Sequence, residues 1–208
     1  MSQFELRMQI ADNANLRPQR DPVFNTDAAR LARRFHRTLD GYRPTPVYSL
    51  DHFAHVLGVS KVLVKDESQR FNLNAFKMLG GTWAVAQLLC KIWQLDIETF
   101  SFDTFRQQQH PPLTLATTTD GNHGRGVAWA AKALGQHAVI YMPKGSSAAR
   151  VRHITDLGAE CIVTDMNYDD TVRLTLQEAQ KKGWYMVQDT AWDGYEEIPT
   201  WIMQGYAT

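Results

Sequence analysis

The feature that most constrains the fold is a repeated strand–helix–glycine pattern in the second half of the chain. Helical segments that end near Gly135, Gly158 and Gly183 separate short apolar stretches at residues 113–118, 137–142, 160–164 and 184–188. Glycine takes the left-handed conformation after a helix at little cost. Strands and helices that alternate at this spacing favour right-handed crossovers between parallel strands. The pattern therefore predicts an α/β fold with a small parallel four-stranded sheet.

The first half of the chain predicts fewer and less regular elements. A basic stretch at 30–43 has Leu31, Phe35 and Leu39 at helical spacing, which indicates an amphipathic helix with a solvated basic face and Thr26 or Asp27 as its cap. The prolines in 43–50 favour an extended segment. Residues 61–67 alternate like a strand.

A long apolar segment follows at residues 75–96. Its apolar side chains surround the helix, which predicts burial on more than one side. Residues 97–112 are polar and predict a surface excursion. The last segment predicts a helix that starts near Pro199 and is still apolar at Thr208, which we interpret as a chain cut short within a larger domain.

Composition excludes several classes of protein. Lys and Arg together number 22, as do Asp and Glu, so nothing indicates a nucleic-acid or membrane-surface protein. Cys90 and Cys161 lie far apart and form no metal-binding pair, which favours a reducing compartment and no metal site. Residues 1–16 do not resemble a signal peptide, and no apolar run approaches the length of a membrane span. We therefore expect a cytoplasmic protein.

A glycine-rich turn at residues 119–126 lies between a predicted strand and a predicted helix. Ligands of open α/β sheets bind beyond the carboxyl ends of the strands, and a helix N-terminus presents free N–H groups to anions. The order of the glycines does not match the dinucleotide-binding fingerprint. The alternative is a tight turn whose glycines only permit close packing.

Lys77 stands at the start of the long apolar helix, where its charge opposes the helix dipole. A desolvated lysine has a lowered pKa and becomes a nucleophile for carbonyl groups. The alternative is a lysine that extends its amine to the surface. Asp189 ends the last predicted strand and is a second candidate for the cleft, with capping of the next turn as its alternative role.

Together, "RPTPVYSL", "VLVKDESQRFNLNAFKMLGG" and "TTTDGNHGRGVAWAAKALG" resemble the fold-type II pyridoxal-phosphate enzymes, the tryptophan synthase β-like family. The resemblance spans about residues 42–190. It implies that Lys77 holds pyridoxal 5′-phosphate as a Schiff base, that Phe76 packs near the ring and that Asn122 meets the ring hydroxyl. It also implies that a turn grips the substrate carboxylate, formed by Thr119, Asp120, Gly121, Asn122 and His123.

Asp120 departs from the family pattern, which has a small residue there. A carboxylate in an anion-binding turn indicates a cationic group on the ligand. With "YMPKGS", "DTAWDGY" and "IPTWIMQGYAT", the chain is similar to a subgroup that acts on 2,3-diaminopropionate. That resemblance implies α,β-elimination to pyruvate and two ammonia, with Lys77, Asp120 and Asp189 as catalytic residues. Bases on opposite faces would admit both D and L isomers, and the whole protein is expected to be a homodimer.

The expected domains are residues 1–75 as the first part of the large domain, 76–190 as the small α/β domain and 191–208 as the return to the large domain. The family's phosphate-binding loop does not occur after residue 126, so the large domain is expected to be incomplete. Three alternatives remain: a serine or threonine dehydratase-like lyase, a truncated non-catalytic remnant, and a nucleotide-binding α/β domain.

Overall fold

A computed structural model describes residues 11–12, 22–71 and 73–208. Most of the stretch assessed for a signal peptide lies outside these residues. The first half of the chain contains α1 (Thr26–His36), β1 (Val47–Ser49), α2 (Asp51–Leu57), β2 (Leu63–Lys65), α3 (Lys77–Trp93) and α4 (Phe102–Gln107). The second half contains β3 (Thr114–Thr118), α5 (Asn122–Ala133), β4 (His137–Met142), α6 (Ala148–Thr155), β5 (Glu160–Val163), α7 (Tyr168–Lys182), β6 (Tyr185–Met186) and α8 (Glu197–Tyr206).

The predicted parallel sheet is confirmed, with four strands in the order β5-β4-β3-β6. Ala116 of β3 pairs with Met186 of β6. The same register, continued past the strands, sets Asp189 beside Thr119, so two loops separated by 70 positions leave the sheet together. That edge is where α/β sheets bind ligands.

Helix α3 is buried along most of its length, as its composition predicts, and packs between α5 and α8. Glycines allow both contacts. A Cβ on Gly126 would lie 3.2 Å from the carbonyl oxygen of Lys77, and a Cβ on Gly205 would lie 2.6 Å from that of Leu79. These close approaches fix the first turn of α3, which carries Lys77, against both neighbouring helices.

Three predictions about the first half were wrong. Asn25, not Thr26 or Asp27, caps α1, because its side-chain oxygen accepts from the amides of Asp27 and Ala28. The helix ends at His36, and Leu39 is buried beyond it. The polar stretch 97–112 is not a simple surface excursion, since α4 lies within it and buries Phe102 and Phe105.

The remaining elements agree in part with the sequence predictions, although helix α2 was not predicted. β1 and β2 form an antiparallel pair with exposed side chains, and α8 begins two residues before Pro199. One cluster of buried apolar residues extends from α1 to α8, and the division of the chain at residues 75 and 190 stays a prediction. Among the described residues, no helix combines the length and the apolar character that a membrane span requires.

Candidate active site

Lys77 and Asp189 form the centre of the site. Lys77 Nζ donates to Asp189 Oδ2 over 2.7 Å, and their side chains are 33% and 15% exposed. Burial acts to raise the pKa of Asp189, but positive charge on His123 and Lys77 outweighs it, so the pKa lies below its ordinary value. The Asp189 side chain therefore pairs with the lysine, 112 residues away in sequence, instead of acting only as a local cap.

The side chain of His123 faces the same carboxylate. Its Nε2 lies 2.8 Å from the carbonyl oxygen of Val187, and its Nδ1 lies 3.8 Å from Asp189 Oδ2. Burial lowers the pKa of His123 below its usual value, which keeps the ring neutral at neutral pH. At neutral pH Lys77 is then the positive charge that faces Asp189, and His123 contributes to lowering the carboxyl pKa only when its ring is protonated.

The predicted anion-binding turn is shaped by Thr119. Its Oγ1 accepts hydrogen bonds from the amides of Gly121 and Gly124, over 3.0 and 3.2 Å. A Cβ on Gly124 would lie 2.4 Å from Thr119 Cγ2, so glycine is required there. Within the described part of the chain, no hydrogen bond takes up the amides of Asn122 and His123 at the start of α5. Such amides can bind a carboxylate.

Asp120 and Asn122 are exposed at the outer side of this turn. They line a cleft of about 80 Å³ together with Gly121, Arg125, Arg150 and His153. Among the ion pairs between described residues, none involves the Asp120 carboxylate. The carboxylate is therefore accessible to a ligand, in a neighbourhood that also holds cationic side chains.

Two aromatic residues border the lysine. Phe76 is 44% exposed, and its ring meets the ring of Tyr206 edge-on at 5.0 Å. Lys77 Nζ lies 5.5 Å from the centroid of Tyr206. The Tyr206 hydroxyl is buried without a hydrogen-bond partner among the described residues, and burial raises its pKa. Only the apolar character of the last segment pointed to this contact in the sequence.

Gln188 joins the two strand ends beneath the site. Its Oε1 accepts from Thr117 Oγ1 and the Thr118 amide, which leaves its Nε2 to donate to Tyr168 Oη over 2.9 Å. Gln188 is fully buried, so these bonds satisfy a costly polar group. Sequence reasoning missed it. A polar residue between an apolar strand and Asp189 was the available signal.

The site fits a cofactor that carries a carbonyl group. Lys77 offers a partly exposed primary amine, and the Asp189 carboxylate fixes its position by accepting a hydrogen bond from it. The orphaned polar atoms Nδ1 of His123 and Oη of Tyr206 lie beside the same pair. A cavity of about 340 Å³ borders Tyr168 and Thr190, and one of about 410 Å³ lies between Asp40 and Trp129, but neither is lined by a lysine.

A parallel α/β sheet with a helix-terminal lysine and an anion-binding turn at its carboxyl edge defines a class of enzymes that use a lysine-bound carbonyl cofactor. The chain belongs to the family of pyridoxal-phosphate dependent enzymes, whose sequence profile matches residues 38–208. The cofactor of this family is pyridoxal 5′-phosphate, as the motifs predict.

Individual relatives give a more specific similarity than the family as a whole. The chain is 64% identical over all 208 residues to diaminopropionate ammonia-lyase of Escherichia coli K12, covering 52% of that protein. It is 54% identical over 190 residues to the enzyme of the same name from Salmonella typhimurium LT2, covering 89% of this chain and 47% of the relative. The chain thus spans about half the length of the curated relatives it matches.

Solved structures agree with the fold. The E. coli diaminopropionate ammonia-lyase in complex with an aminoacrylate-PLP azomethine reaction intermediate superposes with a TM-score of 0.88, covering 99% of this chain and 52% of that one. The same enzyme in complex with D-serine gives 0.89, covering 94% of this chain and 50% of that one. Maize serine racemase, at 23% identity, shares the fold with a TM-score of 0.60 over 86% of this chain and 46% of its own.

Proposed function

We propose that this chain is part of a pyridoxal-phosphate-dependent ammonia-lyase that converts 2,3-diaminopropionate to pyruvate and two ammonia. The observation that carries the proposal is the contact of Lys77 with Asp189 beside a turn that holds a free carboxylate, Asp120. The 64% identity to the E. coli enzyme supports this substrate. Because the chain spans about half of that relative, the activity is proposed for the whole protein.

The cofactor supplies, when bound, an electron-withdrawing ring that acidifies the α-proton of an attached amino acid. Lys77 would hold it, with Phe76 against the ring and Asn122 at the ring hydroxyl. Each of these residues lies at the start of α3 or α5, so helix packing controls the position of the ring.

The turn from Thr119 to His123 would orient the substrate. Its free amides donate to the α-carboxylate, since a helix N-terminus favours a negative charge. Asp120 would attract the β-ammonium group, because no described residue forms an ion pair with its carboxylate. This pairing separates the diamino acid from serine and threonine, which carry a neutral hydroxyl at that position.

Two bases can serve the α-proton. The Lys77 amine would accept it on one face and the Asp120 carboxylate on the other, which would allow both the L and the D isomer to react. Asp189 holds Lys77 in place, because its ionised carboxylate accepts a hydrogen bond from Lys77 Nζ over 2.7 Å. The β-ammonium group leaves as ammonia, and Asp120 is our candidate for the carboxylate that keeps this group protonated until the carbon–nitrogen bond breaks.

Further features of the whole protein are part of the same proposal. We propose a cytoplasmic homodimer with the small α/β domain at residues 76–190 and further chain completing the large domain. A dehydratase acting on hydroxyamino acids is the second candidate, supported by the D-serine complex of the E. coli enzyme. Comparing turnover of serine with that of 2,3-diaminopropionate separates the two.

Covalent labelling tests the cofactor site. Purified protein is incubated with pyridoxal phosphate, reduced with borohydride and mapped by peptide mass spectrometry. We expect one pyridoxyl group per chain, on Lys77. Lys91 provides a matched control, because its amine is exposed and also paired with a carboxylate, Glu197, at 2.6 Å. Lys77→Arg should abolish the label and Lys91→Arg should leave it, whereas labels scattered over surface lysines would contradict the proposed site.

A further inference from the structure

The two ring nitrogens of His123 have unequal environments. The carbonyl oxygen of Val187 can only accept a hydrogen bond, so the nitrogen facing it, Nε2, carries a proton. In the neutral ring Nδ1 then has a lone pair. That atom is buried, has no hydrogen-bond partner among the described residues and points at Asp189 Oδ2 from 3.8 Å. An unprotonated Nδ1 is not attracted to the Asp189 carboxylate, whereas a protonated Nδ1 would form a charge-assisted contact with it.

Lys77 and His123 therefore compete for one oxygen atom. Lys77 Nζ lies 2.7 Å from Asp189 Oδ2, and His123 Nδ1 faces the same oxygen. A positive charge on either side chain compensates Asp189, and a charge on both would bring two cations together in a largely buried space. The cluster therefore accommodates one cation at a time, and burial of His123 leaves that cation on Lys77 in the resting state.

We propose that His123 is a positioning residue that takes up the proton which Lys77 releases. In this step an N–H bond of the Lys77 ammonium breaks and an N–H bond forms at His123 Nδ1. Asp189 is ionised before and after, and the net charge of the cluster is unchanged. Lys77 becomes the neutral amine, the form that attacks carbonyl carbon. The proton transfer itself does not depend on the proposed function. Only the role of the neutral amine, which is to react with the cofactor, rests on it.

The other groups around the cluster do not supply the charge. Tyr206 approaches from α8, Tyr168 from α7 and Tyr195 from the loop after Asp189. Burial raises the pKa of each phenol above its ordinary value, so all three stay neutral near pH 7. Lys77 and Asp189 are therefore the charged groups of the described chain that act on His123.

Nuclear magnetic resonance of the histidine rings tests the proposal in the full chain without cofactor. In Lys77→Met, the Asp189 charge loses its cation, and the titration midpoint of His123 should rise by about one pH unit or more. In Lys77→Met/Asp189→Asn, it should return to the wild-type value or below. His36 is an internal control, since it is also buried but bonds to Leu79 and Thr208 instead. An unchanged His123 midpoint in Lys77→Met would overturn the proposal.

The pH dependence of labelling gives a second readout. With pyridoxal phosphate and borohydride, His123→Gln should shift the onset of Lys77 labelling to higher pH, because Lys77 is then the remaining cation that can compensate Asp189 and its ammonium form is favoured. Labelling of Lys91 should not change. An identical Lys77 profile in both proteins would refute the proton transfer. Absence of any Lys77 label in either protein would count against the proposed function, while the ring titration would still decide the role of His123.

Discussion

The crossing of α3 and α8 makes a quantitative prediction about stability. In Gly80→Ala, the new Cβ would lie 2.6 Å from the carbonyl oxygen of Ile202 and 2.3 Å from Cε1 of Tyr206. Backbone cannot move aside locally, so the two helices must separate. Overpacking of this kind costs up to about 3 kcal/mol, and replacing glycine with alanine in a helix returns about 1 kcal/mol. We expect a net loss of about 2 kcal/mol in the free energy of unfolding.

Gly81→Ala is the matched control, one residue further along the same helix. Its Cβ would meet the backbone of Gly126 at 3.3 Å, a contact that a shift of a few tenths of an ångström relieves. The same gain in helix propensity then offsets the small cost of the close contact, and the free energy of unfolding should change by about 0 kcal/mol. Urea unfolding measures both variants, with a lower midpoint and an unchanged slope expected for Gly80→Ala. Equal midpoints would refute the packing argument.

Two further predictions concern charge. Burial lowers the pKa of His36 to about 4, so between about pH 6.5 and 4 the unfolded chain binds a proton that the folded chain does not. The free energy of unfolding should therefore be highest above about pH 6.5, fall by about 3 kcal/mol as the pH is lowered to about 4, and level off below that pH. Urea unfolding should show a smaller fall in His36→Gln. In the whole protein, Asp120→Asn should reduce turnover of one isomer of 2,3-diaminopropionate far more than the other, with the exposed Asp165→Asn as control. Equal losses for both isomers would contradict bases on opposite faces.

The sheet domain was predictable because its signals are local. Each strand, helix and terminal glycine between residues 113 and 188 carries its own pattern within a few positions. The same holds for Lys77, whose place at the start of an apolar helix is visible in sequence. Asp189 was predictable from the rule that site residues follow strand ends, although its pairing with Lys77 depends on how α3 packs.

Contacts between distant segments were not predictable. Tyr206 reaches Lys77 only because Gly80 and Gly205 let α8 lie against α3, and no periodicity within either helix encodes that crossing. Outside their own polar stretch, Phe102 packs against Phe35 and Trp129, and Phe105 packs against Trp93. The role of the His123 side chain was hidden for a similar reason, since Val187 and Asp189 meet it only after β6 joins the sheet.

The bonds made by Gln188 bear on how the chain finds its strand pairing. Adjacent strands β3 and β6 are some 70 residues apart in sequence, and β6 is two residues long, so ladder hydrogen bonds alone discriminate weakly against a slipped alignment. A slip by one residue would turn Gln188 to the opposite face of the sheet. Its side-chain amide would then lose its hydrogen bonds with Thr118 and Tyr168. The Gln188 side chain thus helps to specify the strand register. A misaligned pairing would bury an unsatisfied amide, whereas the correct pairing places Asp189 beside Lys77.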